Sequence, residues 1–158
     1  MLETFKTTDI FAIIPVAIAL TILGYFSWKT LVTLNSFQKG VKLYEEKDYP
    51  AAEVAFRKVI SNNSTNDVVR LLLGDILKEK GNVKEATELY QEVLRSSPKN
   101  PDAYLRIANV FMEENQPEKA KESLEQAKAL LQKQRQPERA QKVSHLLDKI
   151  TAKTSNQA

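Results

Sequence analysis

Cysteine is absent from this chain of 158 residues, glycine occurs four times and histidine once. Without thiols there is no disulfide, no thiolate metal site and no thiol nucleophile, and the redox compartment is left open. Four glycines are too few for a glycine-rich phosphate loop or for the many tight turns of a β protein. No Walker loop, paired-histidine motif or EF-hand loop is present. Hydrolytic or group-transfer chemistry needs a nucleophile, a base and a charge stabiliser in one pocket. The single imidazole, His145, sits in a helical stretch where a surface or packing role suffices. The chain is therefore expected to be no enzyme, with no cofactor and no metal. A run of one charge sign is missing too: the net charge is +3, with both signs interspersed. A nucleic-acid binder concentrates its cations into a stripe, so neither nucleic acid nor a small-molecule substrate is expected.

What fills the chain instead is acidic and amide residues, Ala, Leu and Lys, which are good helix formers, and one long apolar run. Ile10 to Trp28 reads IFAIIPVAIALTILGYFSW, 19 residues without a formal charge. About 20 residues of helix cross the hydrocarbon of a bilayer. Tyr25, Phe26 and Trp28 cluster at one end, where aromatic rings favour the headgroup level. Pro15 lies one turn in, where a missing backbone donor costs less than at the centre. A cleaved signal peptide would have a positive start and small residues at its end. Here Glu3 and Asp9 offset Lys6, and the run ends in bulky residues. A buried core helix is the other alternative, but it would be unusually apolar all round. Residues 10–28 are thus expected to be a transmembrane anchor in contact with lipid, behind a short tail, 1–9. Lys6 stands alone before the span, while Lys29, Lys39 and Lys42 follow it. The positive-inside bias then places the remainder on the cytoplasmic or an equivalent side. Asn62 and Asn63 each open an Asn-x-Ser/Thr sequon, usable only in a eukaryotic secretory lumen, which this orientation disfavours.

Beyond the span the chain repeats. Asp67–Asn100 reads DVVRLLLGDILKEKGNVKEATELYQEVLRSSPKN, with Gly74, Ala86, Tyr90 and Pro98 at places 8, 20, 24 and 32 of a 34-residue unit. Counting back frames Thr33–Asn66, with Gly40, Tyr49, Ala52 and Phe56 at places 8, 17, 20 and 24. Counting forward frames Pro101–Gln134, with Tyr104, Ala108, Phe111, Ala120, Leu124 and Ala127 at places 4, 8, 11, 20, 24 and 27. Asp48-Tyr49-Pro50 and Asn115-Gln116-Pro117 mark turns, Pro being tolerated in a helix's first turn. Thr30–Ser36 joins the span to the first unit, either as a linker or as a continuation of the same helix. Gln136–Ile150 repeats apolar residues at helical spacing (Ala140, Val143, Leu146, Leu147, Ile150). Thr151–Ala158 is small and polar and is expected to be a disordered tail.

This pattern resembles the tetratricopeptide repeat, a helix–turn–helix unit of about 34 residues. The resemblance covers Thr33–Ile150. Small residues at places 8 and 20 let the paired helices approach, and large ones at places 11 and 24 fill the space around the crossing. The chain departs mildly from the family pattern, with Ser36 and Arg70 at place 4, Leu43 and Leu77 at place 11, and Ser64 at place 32. The implied fold is an all-α solenoid of three helix pairs, 33–66, 67–100 and 101–134, closed by a capping helix, 136–150, and preceded by one transmembrane helix. Stacked repeats need such an atypical terminal helix to cover the last exposed pair.

The resemblance also implies a site. In tetratricopeptide proteins the first helix of each pair lines a groove, largely from places 2, 5, 9, 12 and 13. Repeat one offers Leu34, Phe37, Val41, Tyr44 and Glu45 there. Repeat two offers Val68, Leu71, Asp75, Lys78 and Glu79, and repeat three Asp102, Leu105, Asn109, Met112 and Glu113. Leu71 and Leu105 equally suit packing between neighbouring helices. Phe37, Tyr44 and Met112 suit a helical or extended peptide, which weights recognition toward repeat one. Some family members grip a C-terminal carboxylate with a clamp of Lys, Asn and Arg. The corresponding residues here are Phe37, Val41, Leu72, Asp102 and Arg106, of which only Arg106 fits, so an apolar or mixed ligand is expected. The implied function is a membrane-anchored scaffold for protein partners, subunits or intermediates of a membrane complex. More narrowly, one span ahead of three repeats in a short chain free of Cys resembles the photosystem I assembly tetratricopeptide proteins of cyanobacteria and algal plastids. That resemblance implies a thylakoid membrane. The alternatives are a bacterial-envelope or cytochrome-maturation scaffold, and a self-associating structural module.

Overall fold

The computed structural model describes residues 7–62 and 65–155, with side chains described for 13–62 and 65–152. Both sequons run through residues 63 and 64, which lie outside the described residues. Seven helices follow one another among the described residues: α1 (Thr7–Glu45), α2 (Tyr49–Asn62), α3 (Asp67–Glu79), α4 (Val83–Ser96), α5 (Pro101–Glu113), α6 (Pro117–Lys133) and α7 (Pro137–Ser155). Consecutive helices pack on each other as an all-α solenoid.

The turns carry the repeat in their backbone. Residues Lys47, Gly81 and Asn115, spaced 34 apart, all take positive φ, and Arg135 does so after α6. Each ends a helix in the same way. Gly81 N–H donates to Lys78 O at 2.9 Å and Asn82 N–H to Leu77 O at 2.8 Å. The same pair of bonds closes α1 at Lys47 and Asp48, and α5 at Asn115 and Gln116. These bonds satisfy the carbonyls orphaned at a helix end. Gly81 takes this conformation without steric cost. Asn66 and Asn100 cap the next helices, accepting from Val69 N–H at 3.1 Å and from Asp102 N–H at 3.0 Å.

Each helix pair is held by one close crossing. A Cβ on Gly74 would lie 2.3 Å from Tyr90 Cε1 and 2.9 Å from its Cζ. Gly40 stands in the same relation to Phe56, at 2.6 Å from Cε1. Both rings are fully buried, so they have no room to retreat. The third pair places Ala108 and Leu124 at the equivalent positions, both buried. A larger small residue is matched there by a smaller large one, which conserves volume across the crossing.

The core runs in two stretches. The first extends from Ala52 and Phe56 through Leu73, Ile76 and Tyr90 to Val110. The second joins Ala108, Leu124 and Leu131 to Ala140, Val143, Leu147 and Ile150 of α7. α7 thus covers the end of the array. It runs on to Ser155, where a disordered tail was expected from Thr151; residues 156–158 lie outside the described residues. Extending an existing helix fixes one residue per hydrogen bond gained, and Thr151 Oγ1 donates back to Leu147 O at 2.9 Å.

α1 is a single helix of 39 residues with Pro15 inside it, roughly 58 Å long at 1.5 Å per residue. No loop separates the apolar run from the first repeat. Ile13 to Trp28 stands clear of the solenoid, its large side chains all more than half exposed. The core-helix alternative is therefore excluded. Within the run, Thr21 turns its hydroxyl back onto Ile18 O at 2.8 Å, which removes a donor that an apolar medium would leave unpaired; Thr30, Thr33 and Ser36 do the same beyond it.

The crossing geometry yields a mutational test. Gly74→Ala gains helix propensity but meets the Tyr90 ring, and should destabilise by about 1–3 kcal/mol. Combining it with Tyr90→Leu recreates the Ala and Leu pairing of repeat three. In urea unfolding followed by circular dichroism, the double variant should be more stable than the sum of the single losses by at least about 1 kcal/mol. Strict additivity would mean that this contact does not set the crossing.

Candidate functional site

Ion pairs between alternate helices sort the solenoid into two layers. Lys78 of α3 reaches Glu113 of α5 at 2.8 Å, and Arg139 of α7 reaches Asp102 of α5. On the other layer Arg57 of α2 reaches Glu85 of α4 at 2.8 Å. The odd-numbered helices therefore line one side, and this side carries the residues expected to form a groove.

At its middle sits a polar node. Arg106 Nε donates to Asp75 Oδ1 at 2.8 Å, and its Nη2 to Oδ2 at 2.7 Å. Tyr90 Oη donates to the same carboxylate at 2.9 Å. The fork geometry of guanidinium and carboxylate makes this a strong pair, and it ties repeat two to repeat three. Burial pushes the Tyr90 phenol well above its ordinary value, and the charge of Asp75 adds to the shift. Tyr44 is raised for the same two reasons, burial first. Arg106, the one residue compatible with a carboxylate clamp, is thus engaged inside the fold. Lys78 is likewise committed to Glu113.

The remaining expected residues divide. Leu71 is only 5% exposed and belongs to the core; in repeat two, place 5 faces the neighbouring helices rather than a ligand. Phe37, Val41 and Tyr44 are half-buried and pack against the first core stretch, with the Tyr44 ring 6.0 Å from that of Tyr49. These side chains serve the packing of α1 on its neighbours and are only partly exposed. Leu105, Asn109 and Met112 come together at the far end of the array.

There they line a cleft of about 760 Å³ between α5 and α7, with Leu124 and Leu131 of α6 on its buried side. The facing stripe of α7 is Arg139, Lys142, Leu146 and Lys149. Leu146 is 47% exposed, whereas the stripe one residue on, from Ala140 through Val143 and Leu147 to Ile150, is buried. The large apolar area comes with a cationic edge, and no Asp or Glu lines it. No group of His, Asp and Glu able to hold a metal occurs among the described residues, and His145 is exposed on α7. The site's chemistry is that of a docking surface.

The tetratricopeptide repeat family model matches residues 43–91 and 77–144, together well over half of the chain. This chain belongs to the tetratricopeptide repeat family. A search of curated proteins finds no relative by sequence. Solved tetratricopeptide structures share the fold at low identity. The Yersinia enterocolitica type III secretion chaperone SycD, in complex with a peptide of the translocator YopD, superposes with a TM-score of 0.69 at 20% identity, over 76% of this chain and 92% of that one. The TPR2B domain of yeast Sti1, in its pHsp70 complex, gives 0.71 at 17% identity, over 78% and 98%. PcrH from Pseudomonas aeruginosa gives 0.70 at 17%, over 75% and 91%.

Counting places through the tetratricopeptide register missed the contribution of α7. Helices α3 and α5 begin 34 residues apart, but α5 and α7 begin 36 apart, because α6 is longer than α2 or α4. The sequence signal was a second stripe beside the buried one on α7, with Leu146 among three cations at helical spacing.

Tyr90 offers a pH test of the node. Its folded state holds the phenol protonated to higher pH than the unfolded chain does. That contribution is complete below pH about 10 and is lost as pH rises beyond it. Tyr90→Phe should cost about 1 kcal/mol at pH 8 for the lost hydroxyl bond, yet lose stability less steeply above pH 10. Equal slopes in urea titrations of the two proteins would exclude Tyr90 as the responsible group.

Proposed function

We propose that this tetratricopeptide protein is a membrane-anchored, non-enzymatic scaffold that docks segments of protein partners during assembly of a membrane complex. The observation that carries the reading is α1. An exposed apolar run, long enough to span a bilayer by length and composition, continues without a break into the first helix of the array. Such a span places the array at the membrane surface and confines its search for membrane partners, which raises their effective concentration. The continuous helix also fixes the rotation of the array about the span. The cation bias after the span puts the repeats on the cytoplasmic or stromal side.

Peptide docking is supported by the chemistry of the odd-numbered layer, from the partly exposed Phe37, Val41 and Tyr44 to Leu105, Asn109 and Met112. It is also in keeping with the neighbours' bound ligands: a YopD peptide for SycD, the chaperone binding region of PopD for PcrH, and pHsp70 for Sti1. The specific case we favour is assembly of photosystem I in a thylakoid membrane, on the architecture of one span ahead of three repeats. A bacterial-envelope scaffold is the competing case.

Affinity capture with the full chain from detergent-solubilised photosynthetic membranes should recover photosystem subunits or intermediates; recovery of none sinks the specific case. The anchored geometry is tested by inserting Ala between Thr30 and Leu31. Two inserted residues turn the array by about 200° relative to the span, whereas seven return it to within about 20°. Capture of the membrane partner should fall with two and recover with seven. Indifference to both insertions would show that the span acts as a tether alone.

A further inference from the structure

We propose that the cleft between α5 and α7 receives an amphipathic segment of a protein partner that carries acidic side chains beside its apolar ones. The inference rests on the docking function above and assigns the class of ligand. The cleft offers Leu105, Met112 and Leu146 as apolar contacts. Leu146 is nearly half exposed on the last helix of the array. Exposed apolar area of this kind, rimmed by charge, marks an interaction site. The rim decides the partner. Arg139 is engaged by Asp102, but among the described residues Lys142 and Lys149 have no ion-pair partner and no carboxylate lines the cleft. Both project from the same stripe of α7 as Leu146, one turn to either side. A helix or extended strand that seats apolar side chains against Leu146 therefore brings its flanking residues to the two ammonium groups, and Asp or Glu there completes the pairing.

Other occupants fit less well. Residues 153–158, KTSNQA, carry no acidic and no large apolar side chain. A second copy docking cleft to cleft would bring two sets of cations together and supply no carboxylate to pair them.

The test uses the full chain in detergent and fluorescence anisotropy with labelled synthetic peptides. One probe carries Leu on one helical face and Glu beside it; a second replaces Glu by Lys, and a third replaces Leu by Ser. The Glu and Leu probe should bind about tenfold or more tightly than either control, and more weakly as salt is raised to about 0.5 M. Lys142→Glu with Lys149→Glu should lower its affinity about tenfold and reverse the preference toward the Lys probe. Leu146→Ser should weaken both. These residues are exposed, so helicity by circular dichroism reports that the variants remain folded. Equal binding of the Glu and Lys probes overturns the proposal. So does unchanged binding by the Lys142→Glu, Lys149→Glu chain, or a loss in that chain confined to binding of phosphatidylglycerol vesicles. If that chain still captures its membrane partner in full, the cleft assignment fails while the docking function stands. Selective binding of the Glu probe by a chain that captures no membrane protein supports the cleft chemistry and counts against the membrane-complex reading alone.

Discussion

The solenoid depends on close approach at one point in each helix pair. Gly74 against Tyr90 brings two backbones to a distance that no Cβ at place 8 would allow beside a fully buried ring. Gly40 and Phe56 repeat the arrangement, and Ala108 with Leu124 restates it with the volumes exchanged. Everything else in the array follows from that spacing. The helices lie near enough to bury their apolar faces, and each pair leaves a surface that only the next pair, or α7, can cover.

The same spacing explains the polar node. With α3 and α4 held tightly, the Tyr90 hydroxyl emerges where Asp75 can accept it, and Arg106 closes the pair from the next repeat. A carboxylate, a guanidinium and a phenol satisfy one another, and among described residues no buried side-chain donor or acceptor is left without a partner. The charged residues at the centre of the odd-numbered layer therefore hold repeats in register. At the two ends of that layer, repeat one keeps Phe37, Val41 and Tyr44 partly exposed, and α7 lines the cleft with Leu146 and two lysines.

The continuity of α1 connects the proposed membrane anchor to this architecture. A flexible linker would leave the array free to tumble about its tether. A helix running from the apolar segment into the first repeat instead fixes which face the array turns toward its surroundings, and with it the position of the cleft at the distal end.

Much of the fold was legible in residue order alone. The 34-residue spacing of Gly40, Gly74 and Ala108, and of Phe56, Tyr90 and Leu124, is a steric requirement of each crossing, and local requirements recur visibly in sequence. The apolar run at residues 10–28 was legible for the same reason. Whether Thr30–Ser36 is a linker or helix was left open, because both are compatible with its composition. Only the tertiary structure decided which groove residues are free. Leu71 is consumed by the core, Arg106 and Lys78 by partners about 31 to 35 residues away, and Phe37 and Tyr44 largely by packing. Only the tertiary structure, too, turned α7 from a cap into one wall of a cleft. The lengthened α6 shifts α7 out of the repeat register, and which stripe of a helix is covered depends on a neighbour's position, which spacing along the chain does not encode.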